Sequence, residues 1–224
     1  MTALIRILTC AVSAAFAGLI GAALWRLGPA PVKIADLVQA DLHNSGVSHP
    51  VTAVLLNFRG IDTLLEIAVM LLALIGVLVA GGEHKAPARS MAAATNPVLQ
   101  ALAALTAPLV VLVAVYLLWA GAHQPGGAFQ AAAVLAAGMV LLQVAGNVPA
   151  QAGPGFAARL LLVCGFLIFL LVAAWPSNDM LLAYPRHAAG SLILLIESGL
   201  MVSLALILAG LFLWLPDESE EIEQ

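Results

Sequence analysis

From Ile7 to Trp25 the chain carries no charged residue, and similar uncharged apolar runs recur almost to its end. Each approaches the ~20 residues that a helix needs to cross a hydrocarbon layer about 30 Å thick. Composition agrees: the chain is 63% hydrophobic and 9% charged, with a mean hydropathy of +1.08. A soluble domain carries roughly 25% charged residues. The 224 residues leave room for about six such helices and short loops. The expected fold is therefore an all-α integral membrane protein with about six transmembrane helices. No separate soluble catalytic domain fits in the remainder, and an enzymatic role is not expected. Arg6 precedes the first run as it would in a secretory signal, but that run exceeds the ~7–15 apolar residues of a signal core and reads as a retained span.

The six expected helices cover 4–25, 58–80, 99–120, 129–145, 156–175 and 189–215. Gly81–Gly82, Pro125–Gly126–Gly127 and Pro216 punctuate their ends. Trp25, Trp119, Trp175 and Trp214 fall at those ends, as expected of rings that favour the headgroup layer. The segment 26–57 reads as a long mixed loop. The segment 83–94, with Lys85 and Arg89, reads as a polar linker between a two-helix unit (1–82) and a four-helix unit (95–216). The acidic stretch 217–224 supplies much of the net charge of −4 and reads as a solvated tail. Basic residues divide almost evenly between the two membrane sides, with a preference for both termini inside. No basic cluster suggests nucleic acid.

Within this apolar background Arg59, Asp62 and Glu66 stand at spacings of three and four, which places them on one helical stripe. A charge in hydrocarbon costs at least ~2.5–3.5 kcal/mol, so it faces protein or water and usually has a purpose. Arg59 and Asp62 suit a local ion pair. Glu66 lies deeper without an evident cation. It either pairs with a charge of another subunit or takes part in moving a proton or sodium ion. Glu197 is the one charge in the last expected helix and is the second ion-path candidate. Helix parity puts Glu66 and Glu197 at similar depth below the same membrane face. Gln143 and Asn147 suit interhelical hydrogen bonds. His123 lies in the glycine-rich turn with Pro125, Gly126 and Gly127. The other histidines are scattered without metal-ligand spacing, and Cys10 and Cys164 read as small buried hydrophobes. No cofactor or metal site is expected.

The run from Pro50 to Glu66, with Asn57, Phe58, Arg59, Gly60, Asp62, Thr63 and Glu66, resembles the C-terminal part of the large A subunit of Mrp/Mnh-type sodium/proton antiporters. The same unit occurs as a small subunit of membrane-bound hydrogenases related to respiratory complex I. The segment from Gly121 to Gln130 resembles the turn of the Mrp/Mnh B subunit (MnhB). It departs at Ala128, where the family has a third glycine. The segment from Leu194 to Leu208 resembles that subunit's last helix. The resemblance implies an accessory subunit of a multisubunit monovalent cation (Na+)/proton antiporter in the cell's inner (cytoplasmic) membrane. Its partners would be other Mrp-type subunits, including the complex-I-like proton-pumping ones, with Na+, H+ and lipid. By the same resemblance Asp62 and Glu66 become candidates for the cation route. The alternatives are a subunit of an ion-pumping hydrogenase or related redox complex, and a structural spacer.

Overall fold

The computed structural model describes residues 2–28, 33–80, 96–149, 153–174, 182, 184–185 and 187–214. The linker 83–94, the tail 217–224, Gly81–Gly82, Trp175 and Pro216 lie outside them. The chain order is α1 (Thr2–Arg26), α2 (Ile34–Asp41), a 3-10 turn (Leu42–Asn44), α3 (Pro50–Ala53), a π turn (Val54–Phe58), α4 (Gly60–Ala80), α5 (Pro97–Ala120), α6 (Ala128–Val144), α7 (Phe156–Ala173) and α8 (Ala189–Leu213). No strand occurs among the described residues. α1, α4, α5, α7 and α8 are long and apolar enough to cross a membrane, and α6 is a shorter apolar helix.

Two compact units are present, Met1–Leu37 and Val38–Gln224. The first contains α1, a single apolar helix closed by Arg26 in its last turn, where a cation complements the negative end of the helix dipole. In the second, α8 is the central helix. Its Ile193, Ile196, Leu200, Leu204 and Ile207 are fully buried, and they join Phe169 of α7 and Ile67 and Leu74 of α4 in one core. Lipid tails are as apolar as leucine, so close packing and interhelical hydrogen bonds must hold such helices together. α7 and α8 show both. A Cβ on Gly165 would lie 2.7 Å from the Gly199 carbonyl oxygen, so the two backbones approach closely. One turn on, the buried Ser203 hydroxyl donates to the Leu162 carbonyl. α6 is applied to both α5 and α8. α5 begins where Asn96 accepts from the Val98 and Leu99 amides at 3.0 and 3.4 Å, with Pro97 in the first turn.

The segment expected to be a mixed loop, 26–57, is substantially helical in its second half. Pro50 starts α3 because its fixed φ suits a first helical position and the missing N–H costs nothing there. α3 runs into the π turn, closed by the Arg59 amide donating 2.8 Å to Val54 O. α4 therefore begins at Gly60 rather than at 58. The local sequence hid this because the segment is too short to show a helical period.

α4 contacts α7 and α8 through side chains, not through its covalent link to α5. Separate expression of 1–86 and 94–224 should therefore still give an assembled complex. The test is copurification of the two fragments from one membrane. Failure to copurify, with both halves stably inserted, would show that the linker is needed for assembly.

Candidate ion-path residues

Sequence singled out one charge in α8, and the structure buries it. Glu197 is 4% exposed. Its carboxylate accepts the backbone N–H of Ala128, the first residue of α6. That N–H is one of the groups a helix start leaves without an intrahelical partner, and the positive end of the helix dipole favours a carboxylate there.

The glycine-rich turn makes this approach sterically feasible. Gly127 has φ +109, a conformation that L side chains rarely adopt. A Cβ on it would stand 2.7 Å from Glu197 Oε1. A Cβ on Gly126 would stand 2.5 Å from the Leu117 carbonyl oxygen, while the Gly127 amide donates 2.8 Å to that same oxygen. Gly126 and Gly127 thus have a structural reason, and the alanine at 128 is accommodated because it already belongs to the helix. Pro125 and His123 lie on the exposed side of the turn. The His123 ring is 5.9 Å from the Trp119 ring, and Gln124 Nε2 donates 3.0 Å to the Tyr116 hydroxyl.

The other side of the socket comes from the segment preceding α4. Thr52 donates its hydroxyl to the Gly121 carbonyl, and the Ser48 and His49 amides both donate 3.1 Å to Ala122 O. These bonds tie 48–52 to the turn. Thr63 of α4 donates 2.7 Å to Leu55 O. Thr52, Thr63, Gln130 and Glu197 line one small cavity of about 40 Å³, with Leu56 and Leu200 among its apolar walls. That is enough for a water molecule.

The α4 stripe is placed differently. Arg59 and Asp62 form the expected ion pair, with side chains 69% and 50% exposed. Glu66 is exposed on the flank of α4 and has no side-chain partner among the described residues. Thr63 and Ile67, adjacent on the same helix, are buried. The two carboxylates therefore belong to different surroundings. Glu197 is inside the bundle, while Glu66 projects outward from a membrane-spanning helix. Thr63 contributes to the Glu197 cavity and lies three residues before Glu66, so α4 and α8 meet close to this level.

The neutral candidates divide as well. Asn147, expected on a helix, lies in the exposed turn after α6, where its Nδ2 donates 3.2 Å to the Gln100 carbonyl of α5. Ser198 bonds within α8, to Leu194 O at 2.7 Å. Thr52 and Thr63 were missed as neighbours of a buried carboxylate. Their only signal in sequence is a hydroxyl in an apolar segment. Cys10 and Cys164 are free thiols, exposed and half-buried respectively rather than buried. No group of three or more His, Cys, Asp or Glu side chains placed to hold a metal occurs among the described residues.

The fold and these sites define a multi-pass α-helical membrane protein whose described residues include a buried carboxylate, Glu197, and the outward-facing Asp62 and Glu66. Residues 98–214 match the family model described as a domain related to the MnhB subunit of Na+/H+ antiporter, and the chain belongs to that family. Two solved structures share the fold. A chain of the Mrp complex from Dietzia sp. DQ12-45-1b is 22% identical with a TM-score of 0.72; the match covers 96% of this chain and 26% of that one. A chain of the membrane-bound sulfane sulfur reductase (MBS), an archaeal respiratory membrane complex, is 21% identical with a TM-score of 0.66; the match covers 94% of this chain and 97% of that one. The chain thus spans about a quarter of the Mrp chain it matches. No curated protein matches it.

Proposed function

We propose that this chain is an accessory subunit of an Mrp-type monovalent cation/proton antiporter in the cytoplasmic membrane, supplying carboxylates to an ion path and contacts for assembly. It performs no covalent chemistry itself. Family membership supports the class. The observation that carries the assembly role is the outward Arg59–Asp62–Glu66 stripe on an apolar spanning helix. Such a stripe is costly against lipid and favourable against a partner's polar surface or a water-lined path. The proton-pumping subunits are separate chains, and sodium and protons pass where they meet this one.

Among the described residues, the exposed charged stripe and the small carboxyl socket form no continuous route. The purified single chain in proteoliposomes should therefore give no sodium-driven proton flux. Flux from that preparation would refute the accessory role. The redox-complex reading is favoured by one observation: the match to the sulfane sulfur reductase chain is nearly end to end on both sides. Purification from native membrane separates the two readings. Copurifying iron–sulfur subunits would favour the redox complex, and their absence beside pump-type subunits would favour the antiporter.

A further inference from the structure

A groove of about 410 Å³ runs between α4 and α7, at the end of the bundle where α4 finishes and α7 starts. Its walls are apolar: Leu71, Leu74 and Leu78 of α4 face Leu162 and Val163 of α7. From Leu71 to Val79 it extends ~12 Å along the helix axis, close to the ~15 Å half-thickness of a bilayer core. Among the described residues, one charged residue lines it. Arg159 is exposed in the first turn of α7, and its Nε donates 3.0 Å to the Pro154 carbonyl. That bond tethers the guanidinium at the mouth of the groove and leaves its two terminal nitrogens free to donate. No carboxylate pairs with Arg159 among the described residues.

We propose that this groove is a binding site for an anionic phospholipid, one acyl chain lying between α4 and α7 and the phosphate meeting Arg159. The occupant follows from the two ends of the groove. The deep end offers dispersion contacts and no hydrogen-bonding group, which suits a hydrocarbon chain. The shallow end presents one cation without a carboxylate partner among the described residues, and planar guanidinium donors match phosphate oxygens. A zwitterionic lipid presents the same phosphate beside its own cation and gains less. An apolar helix from a partner would fill the walls but leave Arg159 without an anion.

The test uses the assembled complex in nanodiscs of equal phosphatidylglycerol and phosphatidylcholine, followed by mass spectrometry of the lipids retained after extraction. The wild type should retain phosphatidylglycerol preferentially. Arg159→Gln should lower the retained ratio by about fivefold, the effect of one basic residue at a membrane surface, and Arg159→Lys should keep most of it. Val163→Trp, which fills the groove, should reduce retention of both lipids. Photoreactive benzoylphenylalanine at Val79 should crosslink to lipid. An unchanged ratio in Arg159→Gln overturns the proposal. So does a Val79 crosslink to a partner subunit or to residues 81–95 of the chain itself.

Discussion

Glu66→Gln should leave the complex assembled and cut its sodium-dependent proton flux by about tenfold or more, equivalent to ~1.4 kcal/mol on the limiting barrier. The substitution keeps size and hydrogen bonding and removes the charge cycle. Glu66 projects from α4 without a cation of its own among the described residues, so the substitution breaks no ion pair within them. Asp62→Asn should cost less, because Asp62 already pairs with Arg59 in the first turn of α4. The measurement is flux in vesicles, normalised to assembled complex. Wild-type flux from Glu66→Gln would reduce that residue to packing and bring the spacer reading forward. Loss of assembly would instead make the stripe a purely structural contact.

Gly127→Ala should lower the stability of the chain measurably. It combines two penalties. The left-handed φ of +109 disfavours any Cβ, and the new methyl would meet Glu197 Oε1 at 2.7 Å. Together these cost on the order of 2 kcal/mol, roughly 4–8 °C in Tm for a chain of this size. The double variant Gly127→Ala/Glu197→Ala separates the two penalties. If the clash dominates, truncating Glu197 restores part of the loss; if the backbone dominates, the double variant is worse than either single one. Thermal aggregation of the detergent-purified complex, followed by size-exclusion chromatography, reads both. An unaltered midpoint for Gly127→Ala would mean that the turn does not hold the carboxylate as described.

The spanning helices were legible because hydropathy over twenty residues is a strong signal and depends on no neighbour. The Arg59–Asp62 pair was legible for a similar reason: its partners are three residues apart on one helix. The three tryptophans among the described residues stand at helix ends as expected. Trp25 and Trp119 are exposed near the ends of their helices, whereas Trp214 caps α8 and packs on Gly210. What stayed hidden depends on tertiary approach. Glu197 looked like an isolated charge because its partner is a backbone amide some seventy residues earlier, presented only when α6 starts against α8. Thr52 and Thr63 gave no sign because their bonds go to carbonyls that the π turn and the glycine turn expose. The first half of the 26–57 segment and its α2 were obscured by mixed polarity over a short length.

The π turn at Val54–Phe58 sets an angular phase. A helix advances about 100° per residue, so one residue held in a wider turn re-aims everything before it relative to everything after it. Here the offset lets Thr52 reach the Gly121 carbonyl while Thr63 points into the same cavity and closes on Leu55 O. Deleting a single residue between 54 and 58 would swing α3 by about that angle about the α4 axis and carry Thr52 away from the turn. Substitutions in this segment change only side chains, whereas a one-residue deletion changes the direction in which Thr52 points. Insertions and deletions should therefore be far less tolerated across these five residues than point changes, although most of their side chains reach no part of the core.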